Sequence, residues 1–148
     1  MATVEVDHPR DGVTRVTLNR PGKLNAMTTE LVSELHGALD AIAADGSCRV
    51  VVLTGAGRGF CAGLDLGGYG SAPNSESLGR TQAGLAVQKH IASLIPHLRS
   101  LAQPVIAAVN GPASGGGFAL VLGSDIRIAR SRPASTRRSS ASACRRAT

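Results

Sequence analysis

Two glycine-dense stretches hold the residues of this chain whose type and spacing could do chemistry. Gly55-Ala-Gly-Arg-Gly-Phe-Cys-Ala-Gly-Leu-Asp-Leu66 follows a β-branched run from Val50 to Thr54, and Asn110-Gly-Pro-Ala-Ser-Gly-Gly-Gly-Phe118 follows another from Val105 to Val109. A strand that ends in such a turn presents bare backbone N–H groups, and glycine lets the main chain approach a ligand closely. If the two turns face each other, one N–H from each can grip a single carbonyl oxygen and stabilise the negative charge that develops on it. Taken alone, either cluster reads more simply as a tight turn.

Competing chemistries fail on spacing. Residues 55–60 lack the last glycine of GxGxxG, no GK[ST] loop exists, Ser114 is outside any GxSxG, and His8, His36, His90 and His97 form no HExxH. His90 and His97, two turns apart on one helical face, are expected to face solvent. Cys48, Cys61 and Cys144 show neither CxxC nor metal-ligand spacing, which implies reduced thiols and no metal site.

The elements that must position the two turns follow from apolar periodicity. Val4 to Val6 and Val13 to Leu18 read as a hairpin whose turn is His8-Pro-Arg-Asp-Gly12. Thr28 or Thr29 can cap a helix with Leu31, Leu35, Leu39 and Ile42 on one stripe, ending before Asp45-Gly46. Arg49 to Thr54 is a buried strand, Gly67 to Gly79 a flexible loop, and Gln82 to Leu101 a helix that Pro96 should kink or divide. Gln103 to Val109 is a strand, Gly115 to Leu122 a short helix and Ile126 to Ala129 a further strand. Strands alternating with helices argue an α/β fold with right-handed crossovers.

With 148 residues the chain is long enough for one domain with its own core. The net charge of +6 suggests a polyanion partner until its distribution is considered. Six of the sixteen basic residues, all Arg, lie in residues 130–148, which hold no acid, whereas residues 1–129 balance ten basic against ten acidic side chains. The division is therefore a neutral core over 1–129 and a basic tail over 130–148, expected to be disordered because it lacks apolar periodicity. A nucleic-acid-binding arm is one reading of that tail and a shifted reading frame is the other; no specific nucleic-acid partner is expected. The N-terminus has no basic n-region or apolar core, and no apolar run approaches a membrane span, so a soluble cytoplasmic protein with no membrane partner is expected.

From about Val13 to Ala129 the chain resembles the crotonase, or enoyl-CoA hydratase/isomerase, superfamily. The resemblance is carried by Leu18-Asn-Arg-Pro-Gly-Lys-Leu-Asn-Ala-Met27, Val51-Val-Leu-Thr-Gly55, Phe60-Cys-Ala-Gly-Leu-Asp65, Pro104-Val-Ile-Ala-Ala-Val-Asn-Gly111 and Gly123-Ser-Asp-Ile-Arg127, in the family's order and spacing. It implies a crotonase-like spiral of ββα repeats, C-terminally truncated, and an enzyme of fatty acid metabolism that stabilises a thioester enolate in an oxyanion hole. The hole's donors would be the amides of Leu64 and Gly116. Acyl-CoA contacts would come from Lys23, Leu24, Ala26, Ala62, Gly63, Asp65 and Leu66, with Lys23 or Arg58 reaching the CoA phosphates. Coenzyme A would enter as part of the substrate, with no resident cofactor, and the family forms trimers or hexamers.

The chain departs from the family where hydratases place two catalytic carboxylates. The first position is Ala119 and the second Ser139, neither of which can move a proton as a carboxylate does. A catalytically inactive acyl-CoA-binding or interaction module is therefore the alternative reading. Read one base out of register, the stretch from Ala134 permits an apolar continuation like the family's own, which favours the frameshift account of the tail. Missing later repeats would leave Val105 to Val109 and Ala119 to Leu122 without apolar partners.

Overall fold

A computed structural model describes residues 2–130 of the chain; beyond Arg130, the basic tail lies outside the described residues. Five strands form one sheet in strict sequence order: β1 (Val4–Arg10), β2 (Val13–Leu18), β3 (Val50–Gly55), β4 (Val105–Val109) and β5 (Ile126–Ala129). The first pair is antiparallel and the rest are parallel. Between strands run α1 (Thr29–Ala44), α2 (Arg80–Ala92), α3 (Leu94–Ser100) and α4 (Gly116–Gly123).

Register explains where the core sits. Val16 pairs with Leu53 and Leu53 with Ala107, so one row of inward side chains crosses three strands. All three are fully buried, beneath the Leu31, Val32, Leu35, Leu39 and Ile42 stripe of α1. Thr28 caps that helix, its hydroxyl accepting from Leu31 N–H at 3.3 Å, a contact worth about 1 kcal/mol. One turn further on, the Glu34 carboxylate accepts from the backbone N–H of Thr3 and Val4 and the Thr3 hydroxyl, tying β1 to α1. Burial pushes its carboxyl up, but those three bonds together hold it below the usual range.

Three expectations need correction. The hairpin turn is shorter than anticipated: β1 runs through His8 and Pro9 to Arg10, which a register irregularity between Asp7 and Arg10 accommodates on a sheet edge where proline's missing N–H is tolerated. The helical segment divides as expected, but at Ser93 and not at Pro96, which falls in the first turn of α3, where its missing donor costs little. The apolar faces of β4 and α4 are partly covered, with Val105, Ala107, Leu120 and Val121 buried; the exposed large apolar groups there are Phe118, Leu122, Ile126 and Ile128. The loop after Leu66 is irregular as expected but tied down. Thr29 donates to the carbonyls of Tyr69 and Ser71, and Tyr69, Ala72 and Ser75 are buried.

His90 and His97 also depart from expectation. Instead of facing solvent they are half-buried against His36, with ring centroids 5.6 and 4.9 Å from it. His36 Nδ1 lies 2.6 Å from His97 Nδ1, Tyr69 OH lies 2.9 Å from His90 Nδ1, and Asp40 sits 3.2 Å from His97 Nε2. A helical wheel of one segment could not show this, because the third ring comes from α1. Burial pushes His36 and His90 below the ordinary histidine value, reinforced by the charge of the neighbouring ring. Stability from this stack is thus fully present above about pH 6.5, the unfolded value, and is lost as pH falls through the depressed folded values. Thermal melting from pH 7.5 to 5.0 should show Tm dropping by roughly 2–4 °C from this source. His36→Gln should flatten that part of the profile; an unchanged slope in the variant would refute the assignment.

Candidate active site

Because β3 and β4 are parallel neighbours, the turns that follow them emerge at the same edge of the sheet. They are locked together there. Asn110 donates from Nδ2 to the carbonyls of Gly57 and Gly59 at 2.9 and 3.1 Å, Phe60 N–H donates to Pro112 O at 3.0 Å, and Ser114 N–H donates to Cys61 O at 3.0 Å. Glycine is required by the closeness: a Cβ on Gly117 would lie 2.3 Å from Cys61 O, and one on Gly111 2.1 Å from Arg58 O. Gly63 has φ +89°, and a Cβ there would meet Ser114 O at 2.9 Å and Gly115 Cα at 3.5 Å. The residues just before Leu64 and Gly116 are therefore in contact.

The loop before α1 adds a third layer. Ala62 N–H donates to Leu24 O at 2.9 Å, Met27 N–H to Gly63 O at 2.7 Å and Asp65 N–H to Met27 O at 3.0 Å, a short parallel ladder. This ladder brings Leu24, Ala26, Ala62, Gly63, Leu64 and Asp65 together. Gly116 joins them at the first position of α4, where a Cβ would lie 2.7 Å from the Met27 sulfur. Neither the Leu64 nor the Gly116 amide donates to any other described backbone or side-chain acceptor. Lys23, Arg58 and Leu66 are exposed at the rim.

Asp65 is already engaged within the protein. Its Oδ1 accepts from Gly67 N–H at 2.9 Å and its Oδ2 from Arg20 Nη1 at 2.9 Å. Those partners hold its carboxyl below the usual range, the Gly67 amide contributing most and Arg20 next. Cys61 is no nucleophile: it is fully buried, and burial pushes its thiol up.

Ala119 lines a cavity of about 60 Å³ together with Met27, Ile91, Ala92, Leu94, Ile95, Gly116 and Leu120. Every side chain around that cavity is apolar. The space beside the Gly116 amide is thus lined by apolar groups.

Sequence reasoning assigned no role to Arg20 or to the side chain of Asn25. Asn25 is fully buried, with φ +56°. Its Oδ1 accepts from Arg20 N–H at 2.8 Å, and its Nδ2 donates to the carbonyls of Ala56, Gly59 and Phe60 at 3.0, 2.9 and 3.2 Å. One side chain thus ties the loop before α1 to the first glycine turn. The available signal was a left-handed-tolerant Asn two residues past the Pro21-Gly22-Lys23 turn.

A mixed sheet, parallel from β2 onward, whose adjacent strand ends carry two interlocked glycine turns, each with an unpartnered amide, defines an α/β protein of crotonase type. The chain belongs to the enoyl-CoA hydratase/isomerase family, whose profile residues 8–140 match. It is 47% identical over 131 residues to a probable enoyl-CoA hydratase of Mycobacterium bovis, covering 88% of this chain and 46% of that protein. It is 41% identical over 124 residues to the 1,2-epoxyphenylacetyl-CoA isomerase of Escherichia coli, covering 84% and 46%. A solved probable enoyl-CoA hydratase/isomerase from Mycobacterium abscessus superposes with a TM-score of 0.79 at 41% identity, covering 86% of this chain and 46% of that one. The chain spans about half the length of the curated relatives it matches. Among the described residues no helix is long and apolar enough to cross a membrane.

Proposed function

We propose that the chain binds an acyl-CoA thioester and stabilises an enolate of it, the thioester oxygen lying between the amides of Leu64 and Gly116. The observation that carries this reading is the pair of unpartnered amides on turns that are hydrogen-bonded to each other and rigid through close glycine packing. Preorganised donors of this kind stabilise developing negative charge at no reorganisation cost and typically contribute about 3–4 kcal/mol each. The neighbouring loops supply Leu24, Ala26, Ala62 and Gly63 for the acyl-CoA, Asp65 acts by holding its turn in place, and Lys23 at the rim is placed for phosphate contacts. Coenzyme A enters as part of the substrate, and fatty acid metabolism in the cytoplasm is the corresponding setting.

Both chemistries in the family's name need a proton-transferring group besides the two amides. Addition of water across a double bond needs a positioned base for the water, and the side chains lining the space beside Ala119 are apolar. Isomerisation likewise needs a base to take the proton whose loss forms the enolate; the two amides stabilise that enolate, and the base must come from elsewhere than the side chains around Ala119. Titration of the folded chain with hexanoyl-CoA in a calorimeter should give binding heat that vanishes when hexanoate replaces the thioester. No heat from a demonstrably folded sample would overturn the proposal.

A further inference from the structure

The unpartnered amide of Leu64 stands at the end of a hydrogen-bonded chain that begins on a cation. Arg20 Nη1 donates to Ala26 O. That carbonyl belongs to the same peptide group as the Met27 N–H, which donates to Gly63 O at 2.7 Å, at the short end of the N–H···O range. Gly63 O in turn belongs to the peptide group that carries the Leu64 N–H. In a trans peptide the C=O and N–H point in opposite directions, so the two groups run head to tail from the guanidinium to the Leu64 amide.

We propose that Arg20 is a positioning residue whose guanidinium, acting through the Ala26–Met27 and Gly63–Leu64 peptide groups, aims and polarises the Leu64 N–H toward a bound thioester oxygen. This rests on the acyl-CoA reading given above and deepens it. A charge at the acceptor end of a peptide group strengthens its N–H as a donor, and hydrogen bonds in a chain reinforce one another. Asp65 holds the guanidinium in place: the Arg20–Asp65 pair at 2.9 Å is only 21% and 12% exposed, and the second carboxylate oxygen is fixed by Gly67 N–H. The second donor, Gly116, gets its polarisation from the start of α4 instead, so the two halves of the cradle are charged by different means.

The test compares hexanoyl-CoA with its thioether analogue S-hexyl-CoA, which lacks the carbonyl oxygen, on the full-length chain and its variants. Arg20→Gln keeps an N–H donor and removes the charge; it should cut the preference for thioester over thioether about tenfold while leaving thioether affinity unchanged. The infrared carbonyl stretch of ¹³C1-labelled hexanoyl-CoA should be lowered less on binding to Arg20→Gln than to the unsubstituted chain. Arg20→Lys, which keeps the charge, should recover most of both. Equal preference and equal stretch in Arg20→Gln would overturn the proposal. If Arg20→Gln fails to fold, Asp65→Asn removes the carboxylate that holds the guanidinium and should lower both the thioester preference and the carbonyl shift; neither changing would overturn the proposal. An unsubstituted chain that binds neither compound, or both with equal affinity, overturns the parent reading and this one with it; a thioester preference that Arg20→Gln leaves intact overturns this one alone.

Discussion

Crotonyl-CoA is expected to be hydrated by this chain at least 10²–10⁴-fold more slowly than by a family hydratase, the loss typical of one missing acid/base group. Ala119 has no proton to give, and its neighbours Met27, Leu94, Ile95 and Leu120 cannot act in its place. The second position, Ser139, lies outside the described residues. Ala119→Glu tests the assignment directly. Its carboxyl would enter an apolar cavity beside the Gly116 amide, where desolvation raises a carboxyl's pKa toward the range useful for general acid and base work. Hydration, followed by loss of enoyl absorbance, should rise by roughly 10² over the unsubstituted chain. Rapid turnover by the unsubstituted chain would show that the proton-transferring groups lie elsewhere.

Asn25→Ala is expected to be the most destabilising single substitution in the loop before α1. It would strip the Arg20 amide and the Ala56 and Phe60 carbonyls of their partner and leave Gly59 O with Asn110 alone, and two of the bonds lost are fully buried. Unsatisfied buried groups cost about 1–3 kcal/mol each, so a total of about 3 kcal/mol or more follows, a large share of the roughly 5–15 kcal/mol that holds a domain together. Alanine would in addition inherit the left-handed backbone, at about 1 kcal/mol. Asn74 is exposed at φ +58°, so Asn74→Ala isolates that strain. Urea unfolding should therefore separate the two variants by at least about 2 kcal/mol, and near-equal midpoints would show that the Asn25 network contributes little.

The sheet and α1 were legible because they are local: β-branched runs bounded by glycine or proline, and one apolar stripe with a capping threonine, each fit in a short window. The glycine turns were legible as turns, and the resemblance supplied their partnership. The histidine stack was not visible because its rings come from three helices, and periodicity reports only which face a residue occupies. Arg20 escaped for a different reason. Its side-chain contacts are to one carbonyl and to a carboxylate 45 positions away, and a lone arginine before a proline looks like a solvated charge. Asp65 was found, but as a ligand contact, when its carboxylate is spent on Arg20 and Gly67.

The strand order has a consequence for synthesis. In the sheet β1-β2-β3-β4-β5 each strand after the first pairs with the strand made immediately before it. No strand must wait for one not yet translated, and each new one docks onto a finished template, as in stacked-repeat proteins whose units contact only their neighbours. Assembly can thus be vectorial, proceeding in step with the ribosome. The first glycine turn would be held by the Asn25 side chain before β4 exists, ready to receive the second turn as soon as it emerges.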